Sequence, residues 1–160
     1  MSKLLLVIDL QNDFINNNTK CVLDKIEKLI DSNNYENIVF TRFINNEDSI
    51  YYKKLNSRLF LTEQGRSIAI DTKNYKVIDK IVYSAMNEEL EKYINKNNID
   101  EIYLCGLDTD ACVYKTALDL FENNYDVYVL KDYTMSHKGV ELHNIFIDNL
   151  KRLIGKDKVI

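Results

Sequence analysis

Cys112 stands in the run Gly106-Leu-Asp-Thr-Asp-Ala-Cys-Val113, just after the apolar stretch Ile102-Tyr-Leu-Cys105 and just before an amphipathic segment. A thiol at a helix N-terminus meets the positive end of the macrodipole and unpaired backbone N–H groups, which favour thiolate over thiol. The same N–H groups can hold a developing oxyanion. Nucleophile and electrophilic stabiliser therefore fall at one point of the chain. A cysteine taken at random is more simply a small buried hydrophobe. Two features weigh against that here: Asp9 at the end of the first strand, and Lys80 near the middle of the chain. Cys112 is accordingly expected to meet alkylating agents faster than Cys21 or Cys105, which fall within apolar patterns and read as core residues.

The elements that must position these residues follow from the apolar pattern. Leu4-Leu-Leu-Val-Ile8 is a continuous run, as in a parallel strand buried on both faces. Val22, Ile26, Leu29 and Ile30 then recur at helical spacing. Ile38-Val-Phe40 predicts a second strand, Val77-Ile78 the centre of a short third, Ile102–Cys105 a fourth and Val127-Tyr-Val-Leu130 a fifth. Helices are expected from Asn87 onward (Leu90, Tyr93, Ile94), after Cys112 (Val113, Ala117, Leu120, Phe121) and near the end (Leu142, Phe146, Leu150, Leu153). Lys158-Val-Ile160 is a candidate edge strand. Such alternation implies an α/β fold: a three-layer α/β/α single domain over residues 1–160, its sheet mainly parallel, doubly wound and of five to six strands. Ligands in such sheets bind beyond the carboxyl ends of the strands, where Asp9, Lys80 and Gly106–Cys112 all fall.

Composition narrows the class. The chain has 160 residues, 46% hydrophobic and 29% charged, which suits one globular core. A net charge of −4 without a basic stripe argues against nucleic acid. The apolar run Leu4–Ile8 is too short to span a membrane and lacks a signal-peptide pattern, so no membrane partner is expected. Three cysteines, an odd number without regular spacing, point to reduced thiols and a cytoplasmic location. Proline is absent and only four glycines occur, so the Asn-rich stretches at 16–18, 33–34, 45–46, 97–98 and 123–124 serve as turn marks.

Four motifs in order carry a family resemblance. Val7-Ile-Asp-Leu-Gln-Asn-Asp-Phe14 resembles the opening motif of the isochorismatase-like cysteine hydrolases, which include nicotinamidases. Asp79-Lys80-Ile-Val-Tyr-Ser-Ala-Met86 resembles their lysine motif, and Gly106–Val113 their nucleophile motif. Asp132-Tyr-Thr-Met-Ser136, followed by His143, is similar to the C-terminal signature, so the match runs from Leu4 to Ile154. The resemblance implies Asp9 as base and acid, Lys80 as electrostatic partner and Cys112 as nucleophile. It also implies an oxyanion hole from the backbone N–H groups of Asp108 and Cys112, with a cis peptide between Leu107 and Asp108. A small-molecule substrate and a homo-oligomer are implied as well.

Each of these residues also has a plainer reading. Asp9 caps a turn, Lys80 is a solvated loop lysine, and Asp110 is the N-cap of the helix after it. Gln11 and Asp13 organise the loop after the first strand. His137 and His143, at and inside the last helix, read as structural or surface residues. Phe14, Arg42, Asn45 and Tyr83 are the candidates for the pocket wall, with Tyr51 and Tyr52 beside them. Arg42 offers a bidentate fork for a substrate carboxylate, or a structural ion pair.

No metal and no cofactor are expected. Nicotinamidases of this family hold a metal through an Asp and histidines in the loop after the second strand, and the matching positions here are Phe43 and Asn45. Isochorismate hydrolases cleave a vinyl ether and do not need the nucleophilic cysteine. Cys112 thus points to a metal-independent cysteine amidohydrolase acting on an amide, ureido or carbamoyl bond. The alternatives are a nicotinamidase or vinyl-ether hydrolase on the same fold, and a catalytically idle or redox-active member.

Overall fold

The first apolar run forms the central strand. In the computed structural model, which describes all 160 residues, β1 (Ser2–Ile8) pairs in parallel with β2 (Asn37–Phe43) on one side and β4 (Ile99–Leu107) on the other. Beyond β2 lies β3 (Lys76–Lys80), and beyond β4 lies β5 (Asp126–Met135). The order β3-β2-β1-β4-β5 is that of a doubly wound sheet. From the middle the chain winds out one way, returns, and winds out the other way.

Alternate side chains of β1 serve two cores, which explains its unbroken apolar run. Leu4, Leu6 and Ile8 pack with Leu90 and Ile94 of α4 (Glu88–Lys96), Ala117 and Leu120 of α5 (Tyr114–Glu122), and α6 (Val140–Ile154). Leu5 and Val7 pack on the other face with Ile26 and Ile30 of α1 (Leu23–Asp31). Two short helices, α2 (Ile50–Leu55) and α3 (Glu63–Arg66), lie between β2 and β3 and had no counterpart in the apolar pattern. Their first turns are capped by Ser49 and Thr62, which accept from Tyr52 N and Gly65 N.

Other expectations need adjusting. The sheet has five strands. The sixth candidate, Lys158–Ile160, reduces to a single bridge from Val159 to Val129, because a short helical turn at Lys156–Lys158 leaves no length for a ladder. In α6 the buried face is His143, Ile147, Leu150 and Ile154. Of the stripe read from sequence only Leu150 belongs to it, the face being rotated by one residue. Cys105 is buried, but Cys21 is exposed, its thiol donating to Asn18 O at 3.2 Å in a helical turn that leads into α1. Asparagine does replace glycine at turns: Asn33, Asn56, Asn98 and Asn124 all adopt positive φ.

Gly106 is required by close approach. It sits at φ +106°, and a Cβ there would lie 2.1 Å from the carbonyl oxygen of Ile8 on the neighbouring strand. Its bare backbone lets β4 close on β1 directly before Asp9. Gly106→Ala is expected to destabilise the fold by about 1–3 kcal/mol, through overpacking and backbone strain together. Urea denaturation checks this as a fall in the midpoint without a change in slope.

Candidate active site

Asp9, Lys80 and Cys112 arrive from three strands and meet at the carboxyl edge of the sheet. Asp9 follows β1 at φ 41°, a left-handed conformation that turns its carboxylate back over the sheet end. Lys80 is the last residue of β3, opposite Phe43 in the register with β2. Its Nζ stands 2.7 Å from Asp9 Oδ2, with both side chains almost wholly excluded from solvent. The contact is one of charge, because Oδ2 receives no well-directed hydrogen bond. The directed bonds of Lys80 go to the carbonyls of Val82 at 2.9 Å and Tyr83 at 2.8 Å.

Thr41 completes the hold on Asp9. Its hydroxyl donates to Asp9 Oδ1 at 2.7 Å and accepts from Asp9 N at 3.2 Å, fully buried on β2. Sequence reasoning passed over Thr41. The available signal was its position: β2 and β1 run side by side with Phe40 opposite Val7, which leaves the Thr41 hydroxyl close to Asp9.

Cys112 lies in a wide helical turn, Thr109–Val113, that continues into α5. Such π-type turns recur at functional sites. Beneath it Thr109 Oγ1 meets Thr134 Oγ1 at 2.9 Å and His143 Nδ1 at 2.8 Å, so His143 anchors the turn from α6. Burial pushes the His143 imidazole below its usual range, against the opposing charges of Asp132 and Asp110. The neutral ring is therefore favoured in this structural role. The Leu107–Asp108 peptide before the turn is cis, as the family resemblance implies.

The electrostatics overturn one expectation. Cys112 is 3% exposed and feels the charges of both Asp9 and Lys80. Burial, then the charge of Asp9, raise its thiol well above the ordinary cysteine range, and Lys80 only partly offsets them. For Lys80, burial opposes the charge, but Asp9 and Cys112 outweigh it and hold the ammonium above its usual range. These directions favour the neutral thiol of Cys112 and the ammonium of Lys80. The helix N-terminus does not by itself produce a thiolate.

A cavity of about 190 Å³ opens over Cys112. Its wall is largely aromatic: Phe14, Phe43, Tyr51, Phe60 and Tyr83, in edge-to-face contacts with centroids 4.6–5.7 Å apart. Phe14 and Tyr83 lie where the sequence reading put them. Tyr51 joins them, whereas Tyr52 turns away beneath the guanidinium of Arg58. Gln11 and Asp13 do organise the first loop. The Gln11 amide bonds both the N–H and the carbonyl of Phe43, and Asp13 accepts from Phe60 N at 2.5 Å.

Three assignments are corrected. Arg42 forms a bidentate pair with Asp79 at 2.7 and 2.9 Å on the outer surface and does not line the cavity. Asn45 is buried behind the wall, its amide donating to the carbonyls of Ser57 and Leu59, which do line it. Asp110 is not an N-cap: the N–H groups of Ala111 and Val113 bond the Asp108 carbonyl, and Asp110 Oδ1 is buried without a partner. His137 was underrated. It precedes α6 and lines the cavity, its Nδ1 bonded to the buried Asp108 carboxylate. Burial raises Asp108, and His137 pulls it back down.

The residues at the place of a nicotinamidase metal do not fit one. Phe43 presents a hydrocarbon ring, the Asn45 amide is spent on backbone, and no three His, Cys, Asp or Glu side chains converge.

Comparison with known proteins agrees with this geometry. The family model described as Isochorismatase domain matches residues 3–156, and the chain belongs to that family. It is 42% identical over 82 residues to isochorismatase family protein 2A of Dictyostelium discoideum, covering 50% of this chain and 39% of that protein. The chain spans about half or less of the length of the first relatives it matches. Among solved structures, a nicotinamidase from Bacillus subtilis superposes with a TM-score of 0.84 at 25% identity, over 97% of both chains. An N-carbamoylsarcosine amidase from Thermoplasma acidophilum does so at 0.83 and 22% identity, over 97% of this chain and 94% of that one. No helix is long and apolar enough to cross a membrane.

The thiol environments set an order of reactivity opposite to the one read from sequence. At neutral pH iodoacetamide is expected to modify exposed Cys21 first and Cys112 slowly. Modification of Cys112 should accelerate only as pH rises above the ordinary thiol range, since its neutral form is stabilised. Peptide mass mapping across a pH series checks the order, and fast labelling of Cys112 at neutral pH would contradict the protonated resting state.

Proposed function

We propose that this protein is a metal-independent cysteine hydrolase that cleaves a C–N bond of a small amide, ureide or carbamoyl compound through a thioester. The observation that carries the reading is the placement of Cys112 beside the buried Asp9–Lys80 pair, in the wall of an aromatic cavity. Among its relatives, one is named a nicotinamidase and another an N-carbamoylsarcosine amidase, both amidases by name.

The chemistry follows from the charges. Asp9 takes the thiol proton as sulfur attacks the carbonyl carbon, so negative charge passes from carboxylate to sulfur and then to the carbonyl oxygen. The backbone N–H groups of Asp108 and Cys112 receive that oxyanion. Collapse breaks the C–N bond, and Asp9 returns its proton to the departing nitrogen, leaving a thioester on Cys112. Water then attacks, giving its proton to Asp9. The C–S bond breaks, and Asp9 reprotonates the sulfur. Lys80 keeps one positive charge beside the migrating negative charge throughout. Because it is buried, its removal leaves that charge uncompensated at low dielectric. The homo-oligomer and cytoplasmic location implied by the sequence are part of the same proposal.

Release of ammonia from a panel of primary amides, ureas and carbamates tests the reading. Cys112→Ala is expected to abolish release while leaving the melting temperature close to wild type. Asp9→Asn should cost about 10²–10⁴-fold, the range for loss of a general acid–base. Lys80→Ala should be comparably severe, and the double variant no worse than the more damaging single one, as for groups acting as a unit. A Cys112→Ala protein with near wild-type turnover would falsify the covalent route.

Metal independence has its own measurement. Turnover is expected to be unchanged by a chelator followed by desalting. Activity lost in this way and restored by zinc, iron or manganese would show that the donor set has been misread.

A further inference from the structure

The imidazole of His137 is held from two directions. Its ring lies nearly parallel to Phe14, with centroids 5.3 Å and planes 19° apart. Its Nδ1 meets the carboxylate of Asp108, which also accepts the His137 backbone N–H at 3.0 Å. A carboxylate at Nδ1 keeps a proton on that nitrogen, so in the neutral ring Nε2 carries the free lone pair. Nε2 makes no hydrogen bond within the protein and is not sealed off, since the enclosed unpaired side-chain atoms belong to Asp9 and Asp110 alone. The side chain is about a quarter exposed and lines the same cavity as Cys112. A ring fixed in plane and tautomer, with its second nitrogen unengaged, is prepared for a ligand rather than for the fold.

We propose that His137 Nε2 is a specificity-determining acceptor of this cavity, selecting substrates whose body carries a further N–H donor over isosteres with a methyl group in its place. Asp108 and Phe14 act as positioning residues for it. The proposal rests on the amidohydrolase reading of the same cavity. A site built to hydrogen-bond a substrate group rejects the analogue that lacks it, because the acceptor is then dehydrated without a partner. The cation of the wall, Lys138, is exposed.

The test compares 3-aminobenzamide with 3-methylbenzamide, which match in size and differ in one donor group. Wild type is expected to favour the amino compound by about tenfold in kcat/KM, the worth of one hydrogen bond. His137→Phe should bring the ratio to about one, and His137→Gln, which keeps an acceptor, should recover part of it. Asp108→Asn should fall between wild type and His137→Phe, because the ring loses the carboxylate that sets its tautomer. His137→Ala replaces the Phe variant if that protein does not fold. The same pair is titrated calorimetrically into Cys112→Ala and Cys112→Ala/His137→Phe, which reads binding without turnover. Equal binding of the two compounds, binding of neither, or a preference that survives loss of His137 overturns the proposal. A His137-dependent binding preference without ammonia release from any amide upholds the role of His137 and overturns the amidohydrolase reading instead.

Discussion

The buried pair between Asp9 and Lys80 is the constraint around which this end of the molecule is arranged. Two charges withdrawn from water cost several kcal/mol each unless their remaining bonding capacity is met. Here it is met from β2 and from the segment after β3: the Thr41 hydroxyl takes one oxygen of Asp9, and the Val82 and Tyr83 carbonyls take the ammonium hydrogens. One oxygen of Asp9 is left with charge contact only. In the proposed mechanism that incompletely satisfied oxygen is the one that accepts the thiol proton. A pair fully saturated by hydrogen bonds would be more stable and less useful.

The thiol shows why local and tertiary electrostatics must be weighed together. A helix N-terminus favours thiolate by the partial charge of a few N–H groups, whereas complete burial beside a carboxylate opposes it with full desolvation and a unit charge. The second effect prevails at Cys112. On the proposed route the proton that leaves sulfur passes to Asp9 and stays within the site. That route creates no net charge in the apolar cavity.

The parallel, doubly wound sheet and the placement of Asp9, Lys80 and Cys112 at its carboxyl edge were legible in the sequence, because each depends on short runs with a clear period or on residues at strand ends. Phe14 and Tyr83 followed from the same motifs. What escaped notice depended on side-chain direction. Arg42 and Phe43 are neighbours on β2, so they point to opposite faces, and only Phe43 turns toward the cavity. Asn45 and Cys21 sit in loops and turns where no period reports burial. His137 was read as a helix residue because the start of α6 lacks a capping side chain that would have marked it. Asp110 stood at the expected cap position, but the wide turn shifted that duty to the Asp108 carbonyl.

The placement of Lys80 on β3 ties the site to the rim of the sheet. β3 has five residues and one neighbour, β2, so its ladder is shared on a single side. Edge strands of this kind exchange their amide hydrogens through openings that leave the rest of a sheet intact. Each such opening would carry the ammonium away from Asp9 while β1 and β4 stayed paired, leaving an intact cavity around an uncompensated carboxylate. The durability of the charge arrangement is therefore governed by the least protected strand, not by the apolar centre that accounts for most of the protein's cohesion.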